Sequence, residues 1–336
     1  MWFKNLQLYR FTQPVALDQQ QLSESLAEKA FTPCESHQPQ SSGWVSPLGS
    51  AATDLIHAAN GYILVCQKRE ERLLPASVVN DELAEKRQEI EEKQDRKVSR
   101  KEQKDLKEEI IFSLLPRAFC RSSLQLAYFA PAANLLVVNS ASAKRADDLT
   151  AGLREAMGSL PVEPLDTALE TTRLLTQWLI DGSGTHGFMP GSECELRSDQ
   201  DASRTIKCKN LDLGTAEILG HIHSGMHVSK LELVWNDRLE FIIDENLVVK
   251  RLRLTDVFED EWSERADTDT DDELARFDAD FTLMTLEHAS LLESFAAAFA
   301  IETDVGDANT GTAAMSASTR DTATAATPDN AETVEA

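Results

Sequence analysis

The chain predicts an α+β fold with mixed and antiparallel sheets and a projecting helical element. Three observations lead there. Apolar runs such as "WFKNLQLYRF" and "KLELVWNDRLEFIID" alternate with the two-residue period of half-buried strands. Segments such as "SAKRADDLTAGLREAM" carry the helical period instead, and the two kinds intermingle along 336 residues, enough for a subunit of several parts. From Ser77 to Leu115 the period is helical throughout, but its apolar residues thin out to Leu83, Ile90, Leu106, Ile110 and Leu114, as in a helix that leaves the body of the protein.

Along the chain, "LDQQQLSESLAEKA" sets Leu17, Leu22 and Leu26 at helical spacing, and "GYILVCQKREERLLP" reads as a central strand with a polar outer end. Pro75 ends that strand and Pro116 ends the helical stretch after it. Strands follow at "LQLAYFA" and "NLLVVNSA". Leu149, Leu153 and Met157, four apart and followed by Gly158 and Pro161, then define a helix with its stop signal. Pro161 and Pro164 mark a boundary. Beyond it come a helix carrying Trp178, strands at "RTIKCKNLDL", "KLELVWNDRLEFIID" and "NLVVKRLRL", and a last helix at "FTLMTLEHASLLESFAAAF". The expected division is a central α+β domain (1–75 with 116–165), a helical tip (76–115), a second α+β domain (166–301) and a disordered acidic tail (302–336).

The formal net charge is −24, and it is unevenly spread. Twelve acids between Asp256 and Asp280 face only Arg265 and Arg276, and seven between Glu302 and Ala336 face only Arg320. No run approaches the roughly 18 apolar residues of a membrane span, so no membrane partner is expected. Asn5, Gln7 and Arg10 interrupt the apolar region that a secretory signal needs, and the expected location is cytoplasmic. Cys34, Cys66, Cys120, Cys194 and Cys208 are scattered without a Cys-x-x-Cys pair, which predicts buried free thiols rather than a disulfide framework or a zinc cage.

Against this acidity stands "EKRQEIEEKQDRKVSRKEQKDLKEE", Glu85 to Glu109. Lys93, Lys97, Arg100, Lys104 and Lys107 follow one another at spacings of 4, 3, 4 and 3, one stripe on a continuous helix. Arg96 and Lys101 flank it, and Val98 is the only apolar side chain between Glu91 and Asp105. Three readings stand: a solvated helix laced by pairs worth about 0.2–0.5 kcal/mol each, a nucleic-acid surface, or a site for an acidic protein. Lys207 and Lys209 alternate on one strand, Arg251 and Arg253 on another, and Lys144 and Arg145 open a helix. Gathered together, these cations would neutralise phosphates without reading bases. Zinc-finger spacing, zipper heptads and an aromatic RNA-binding signature are all missing.

Other motifs carry less. In "HIHSGMH", His221 and His223 share a face only on a strand, and His227 lies past the Gly225 turn, so no metal is expected. "DTDTDDELARFD" puts Asp267, Asp269 and Asp271 at calcium-loop positions. Asp272 stands where such a loop needs Gly and Asp278 where it needs Glu, which leaves a solvated acidic loop. "DGSGTHG" lacks the Gly-Lys-Ser/Thr ending of a phosphate cradle and reads as a loop. No catalytic residue and no cofactor is expected. Two rivals to DNA binding remain: a metal-dependent nuclease using His221 and His223, and a protein-interaction scaffold.

The segments "MWFKNLQLYRF", "AFTPCESHQPQSSGWVSPLG", "ANGYILVCQKREERLLP", "LLPRAFCR", "SASAKRADDL", "GSLPVEPL" and "RFDADFTLM" resemble, in order, those of the recombination-associated protein RdgC family of bacteria. The resemblance runs from Met1 to about Phe299. It implies a non-enzymatic, nucleoid-associated protein that binds duplex DNA, and possible single strands, with little sequence preference and restrains RecA-promoted strand exchange. It also implies a ring-shaped homodimer around a positively charged hole. Arg96 and Lys97 match basic positions of the family's helical segment, and Lys207 and Lys209 match its basic strand or loop. There the family often continues with Lys-Gln, where this chain has Asn210 and Leu211. Phe119 corresponds to an aromatic at the closing interface, with Phe112 and Leu115 beside it; ordinary core packing is the other reading of Phe119. Arg117 is placed at the hole or the interface.

Overall fold

The computed structural model describes residues 2–13, 17–49, 52–167, 169–198, 200–201, 203–266 and 272–301, with the side chains of 263–266 excepted. The tail expected at 302–336, and Asp267, Asp269 and Asp271 of the calcium-like motif, lie outside the described residues.

β1 (Asn5–Phe11) organises the fold. Its side chains alternate between two cores: Leu6 and Leu8 enter one apolar cluster, Tyr9 and Phe11 the other. β4 (Tyr62–Leu73), β5 (Phe119–Ala130) and β6 (Leu135–Val138) obey the same rule, with Leu64, Tyr128 and Val137 on the first face and Val65, Phe129 and Val138 on the second. Two apolar faces require two covering layers. Leu22 and Leu26 of α1 (Gln19–Ala27) and Leu149 and Leu153 of α4 (Ala143–Met157) cover the second face. The last helix, α8 (Glu273–Ala298), covers the first with Phe281 and Met284. Asp18 caps α1 by accepting from the Gln21 N–H at 2.9 Å, and Gly158, at φ 77°, ends α4 in the left-handed conformation that a Cβ disfavours.

On its other edge β1 meets β12 (Val249–Leu254), so one sheet runs across the expected domain boundary. Its order is β2 (Gln40–Val45), β4, β5, β6, β1, β12, β11 (Leu239–Asp244), β10 (Met226–Trp235), β8 (Phe188–Ser198), β9 (Thr205–Cys208), with β3 (Ile56–Ala59) on β4 and β7 (Val162–Pro164) on β1. Every named pair is antiparallel, and with eight helices among the described residues the α+β expectation holds. α5 (Thr171–Asp181) packs Leu175, Trp178 and Leu179 into the core that also holds Phe188, Leu233 and Phe295. Asn236 and Asp237 take φ of 50° and 55° in the tight β10–β11 turn. None of the described helices is long and apolar enough to cross a membrane.

Several expectations change here. The helical stretch is not one helix but a hairpin of α2 (Ala76–Gln94) and α3 (Arg100–Leu114). Asp95 turns left-handed at φ 46°, and Ser99 caps α3 by accepting from the Glu102 N–H at 3.3 Å. Folding back lets Val79 and Leu83 bury against Ile110, which a single extended helix would leave wet. "HIHSGMH" begins in α6 (Ala216–His223), which does not give the shared face that a strand would have, and His221 and His223 sit about 200° apart around the axis. Residues 273–278 of the expected acidic loop start α8, capped by Asp272, which accepts from the Leu274 N–H at 3.0 Å. An additional helix, α7 (Asp256–Ala266), precedes it, with Asp256 and Glu259 in its first turn at the positive end of the dipole. Cys120 is exposed, not buried, because β5 extends past its apolar half to Phe119.

Candidate nucleic-acid interface

The helical hairpin grows from the outer ends of β4 and β5, where Leu73 pairs with Phe119. Arg72 fastens its root: Nη1 donates to the Leu115 carbonyl at 3.0 Å and Nη2 to the Glu35 carbonyl at 3.2 Å. At the tip, the Arg96 guanidinium grips the Glu102 carboxylate through two bonds of 2.7 Å. That hydrogen bond raises the Arg96 pKa and lowers that of Glu102. Both groups are solvent-facing, so the pair orders the turn more than it stabilises the subunit.

The hairpin splits the expected stripe. Lys93 ends α2 beside Glu89 at 3.6 Å, and Lys104 stands 3.7 Å from Glu108, both fully solvated pairs. Lys97, Arg100, Lys101 and Lys107 are exposed and have no ion-pair partner among the described residues. Lys97 lies in the turn, while Arg100 and Lys107, with Lys104, still share one face of α3. A cation at the first turn of a helix opposes the helix dipole, and Glu102, the acid in that turn, is already paired with Arg96.

A second set lines an open cavity of about 190 Å³ between β8, β9, β10 and β12. Lys207, Lys209 and Arg251 meet there with Lys230, alongside Glu193 and Glu195. Burial pushes the Glu195 carboxyl up, but hydrogen bonds from Lys230 and Lys207 together outweigh it and hold the group below its usual range. Lys230 Nζ is 2.9 Å and Lys207 Nζ 3.3 Å from that carboxylate. Arg251 is bound to Glu193, and Arg253, just outside, to Glu240. Three of these cations therefore arrive partly neutralised, and Lys209 has no ion pair among the described residues.

The strand expected to carry Lys207 and Lys209 ends at Cys208, so Lys209 belongs to the loop that follows, with Asn210 at φ 52°. Arg251 and Arg253 alternate only loosely, because Arg251 sits at φ 54° in a bulge opposite β11. Lys230 was missed although "KLEL" alternates, since a basic residue at a strand's start reads as solvated.

The third set is on the first half of the sheet. Lys144 and Arg145 are exposed in the first turn of α4, where Arg145 shares a narrow cleft with Arg69 and Asp148. Arg69 was not singled out in the sequence; Asp148 holds it at 2.8 Å. Arg117 is exposed in the short turn between α3 and β5. The expected cations thus fall into separate groups within one subunit, at the hairpin, around the cavity and at the start of α4.

Of the three apolar residues expected at an interface, Phe119 is 83% exposed and Phe112 57%, whereas Leu115, at 6%, belongs to the subunit's own interior. Core packing is therefore not what Phe119 does. Phe112 stacks on His37 with ring centroids 4.0 Å apart, and Leu73 extends the exposed apolar edge. As to metals, no group of three His, Cys, Asp or Glu side chains among the described residues is placed to hold an ion.

Residues 1–302 match the family model described as "Putative exonuclease, RdgC". The chain is 45% identical over 299 residues to the recombination-associated protein RdgC of Aeromonas hydrophila, covering 89% of this chain and 97% of that protein. It is 44% identical to the proteins of the same name from Tolumonas auensis, over 89% of this chain and 98% of the relative, and Pseudomonas aeruginosa, over 87% and 95%. A match of this extent, across the sheet, the hairpin and α8 alike, means that the chain belongs to the RdgC family of recombination-associated proteins.

Proposed function

We propose that this chain binds duplex DNA without reading its sequence, that two copies close into a ring around it, and that the bound ring restrains RecA-promoted strand exchange without any catalytic step. The observation that carries the reading is the hairpin. It presents Lys97, Arg100 and Lys101 at its tip and Lys107 midway along α3 without acidic partners among the described residues, in a protein whose net charge is −24. Exposed cations gathered without acidic partners make a local positive surface on an otherwise anionic protein, and that surface attracts an anion. Phosphates meet the need, and each contact releases condensed counterions. Lys209 and the cavity around Lys207, Lys230 and Arg251 would add contacts once a phosphate competes with Glu193 and Glu195.

Closure into a ring uses the apolar edge at the hairpin root, with Phe119 and Phe112 buried against a second copy. The curated relatives' names support a recombination role, and nucleoid association follows from binding DNA without sequence preference. The family model's description favours a nuclease instead. On α6, however, His221 and His223 diverge, and the described residues offer no ligand set for that chemistry.

The deciding experiment measures affinity for closed circular and linear duplexes across a salt series, with mass by light scattering and RecA strand exchange in parallel. Tight, steeply salt-dependent binding by a dimer that slips from free ends and slows exchange supports the reading. Cleavage of the plasmid in Mg²⁺ or Mn²⁺, abolished by His221→Ala, would favour the nuclease.

A further inference from the structure

Cys194 and Cys208, expected to be unrelated thiols, stand directly opposite one another on β8 and β9. The Ser198 N–H donates to the Arg204 carbonyl at 3.2 Å, and alternation from that pair makes Cys194 and Cys208 a hydrogen-bonded pair with Cα atoms about 5.5 Å apart. A disulfide spans Cα separations of about 4.4–6.8 Å, and closing it draws the Cβ atoms from about 5.5 Å to about 3.5–4.5 Å, a local shift that a short edge strand can make. Both side chains are buried, Cys194 is hydrogen-bonded to Cys208, and both thiols line the open cavity between Lys207 and Lys209. We propose that Cys194 and Cys208 are a reversible disulfide site, whose oxidation fastens the edge strand β9 to the sheet.

The chemistry needs a disulfide oxidant of the glutathione class, one sulfur of which meets a thiol at the open cavity. One protein thiol loses its proton to solvent and attacks an oxidant sulfur, releasing one small thiol. The second protein thiol, deprotonated in turn, attacks the mixed disulfide and releases the other. The protein loses two hydrogens and the oxidant gains them. Burial, with the Cys208 thiol beside it, pushes the Cys194 thiol up to about 12. The Cys194 thiolate is therefore scarce at neutral pH, which slows attack by that thiol.

β9 is a fitting target. It has four residues and terminates the sheet, so it hangs on β8 alone. Strands held this way open at low free-energy cost. A cross-link in its last position removes that opening and fixes Lys207 and the start of the Lys209 loop.

The test treats the full chain with oxidised glutathione and maps cross-links under non-reducing conditions. The expected product is a Cys194–Cys208 linkage, reversed by dithiothreitol. Its rate should rise with pH between 7 and 9, since the thiolate is the attacking form. Amide exchange at residues 205–208 should slow about tenfold or more, with the β10–β11 amides unchanged. Cys208→Ser should abolish both responses, and Cys194→Ala serves if that variant does not fold. Modification confined to Cys34 and Cys120, or a linkage that leaves exchange at β9 unaltered, overturns the proposal. Neither readout involves DNA, so the outcome is separate from that of the proposed function.

Discussion

The Tyr128 hydroxyl and His288 Nδ1 lie 3.2 Å apart in full burial, joining β5 to α8 across the first core. Trp2 and Phe3 close around the same imidazole with ring centroids at 5.1 and 6.1 Å. Burial lowers the His288 pKa from 6.5 to about 3, and no described group accepts from or donates to its Nε2.

That depressed pKa predicts an acid limb. Between about pH 6.5 and 3 the unfolded chain binds a proton at this position that the folded chain refuses, so stability falls as pH drops through that window and is constant above it. The loss is on the order of a few kcal/mol at the low end. Urea unfolding from pH 7.5 to 4 should show it, and His288→Gln, less stable at pH 7.5, should lose less on acidification. An equal slope in both proteins would assign the limb to the carboxylates.

Reversing charge on the hairpin should weaken duplex binding for all sequences alike. Lys97→Glu, Arg100→Glu and Lys107→Glu together, six cations in a dimer, should lower the magnitude of the log–log salt slope by about 5, at roughly 0.9 per phosphate contact. Lys93→Glu, already beside an acid, should do less. Fluorescence anisotropy on two unrelated duplexes from 50 to 200 mM salt decides it, and an unaltered slope removes the hairpin from the DNA surface.

Phe119→Ser should leave subunit stability within about 0.5 kcal/mol, because the side chain is already solvated, while weakening self-association about tenfold or more. Leu115→Ala should do the opposite, costing about 2–4 kcal/mol of fold stability through a packing void. Sedimentation equilibrium and thermal unfolding, run on both variants, separate the two effects.

Gly43 packs its α-carbon against the backbone of Phe31, and a Cβ there would overlap Phe31 Cα and N. Gly43→Ala should therefore shift β2 off β4 and cost about 1–3 kcal/mol. A thermal midpoint equal to that of the parent protein would show that the Ala30–Phe31 segment yields freely.

Much of the fold was legible because it obeys a period. β1, β4 and α4 all stand where alternation or four-residue spacing put them, and Gly158 ends α4 as its lack of a Cβ allows. What failed was whatever depends on a distant partner. β8 contains Pro190 and Gly191, poor strand residues, yet Gly191 is required where Glu232 crosses it, and the Glu232 carboxylate accepts from the Ser192 N–H at 2.8 Å. The hairpin turn at Asp95–Ser99 has no Gly or Pro to announce it; it follows from burying Val79 and Leu83 against Ile110. Likewise the cations were visible in the sequence but their acids were not: nothing in "KCKN" reveals that Glu195 lies across from Lys207.

β1 pairs with β6 and β7 early and with β12 late. β6 follows it closely enough to pair while the chain is still being made, but Asn5 Oδ1 receives the Arg251 N–H from 246 residues downstream. During synthesis the Asn5–Leu6 end of this strand waits with one side of its ladder open, and Leu6 and Leu8 uncovered, until β12 and then α8 emerge from the ribosome. For that interval a nascent chain offers a sticky ledge to its neighbours on the same messenger, and slowing translation beyond residue 200 should increase insoluble product more than slowing it earlier.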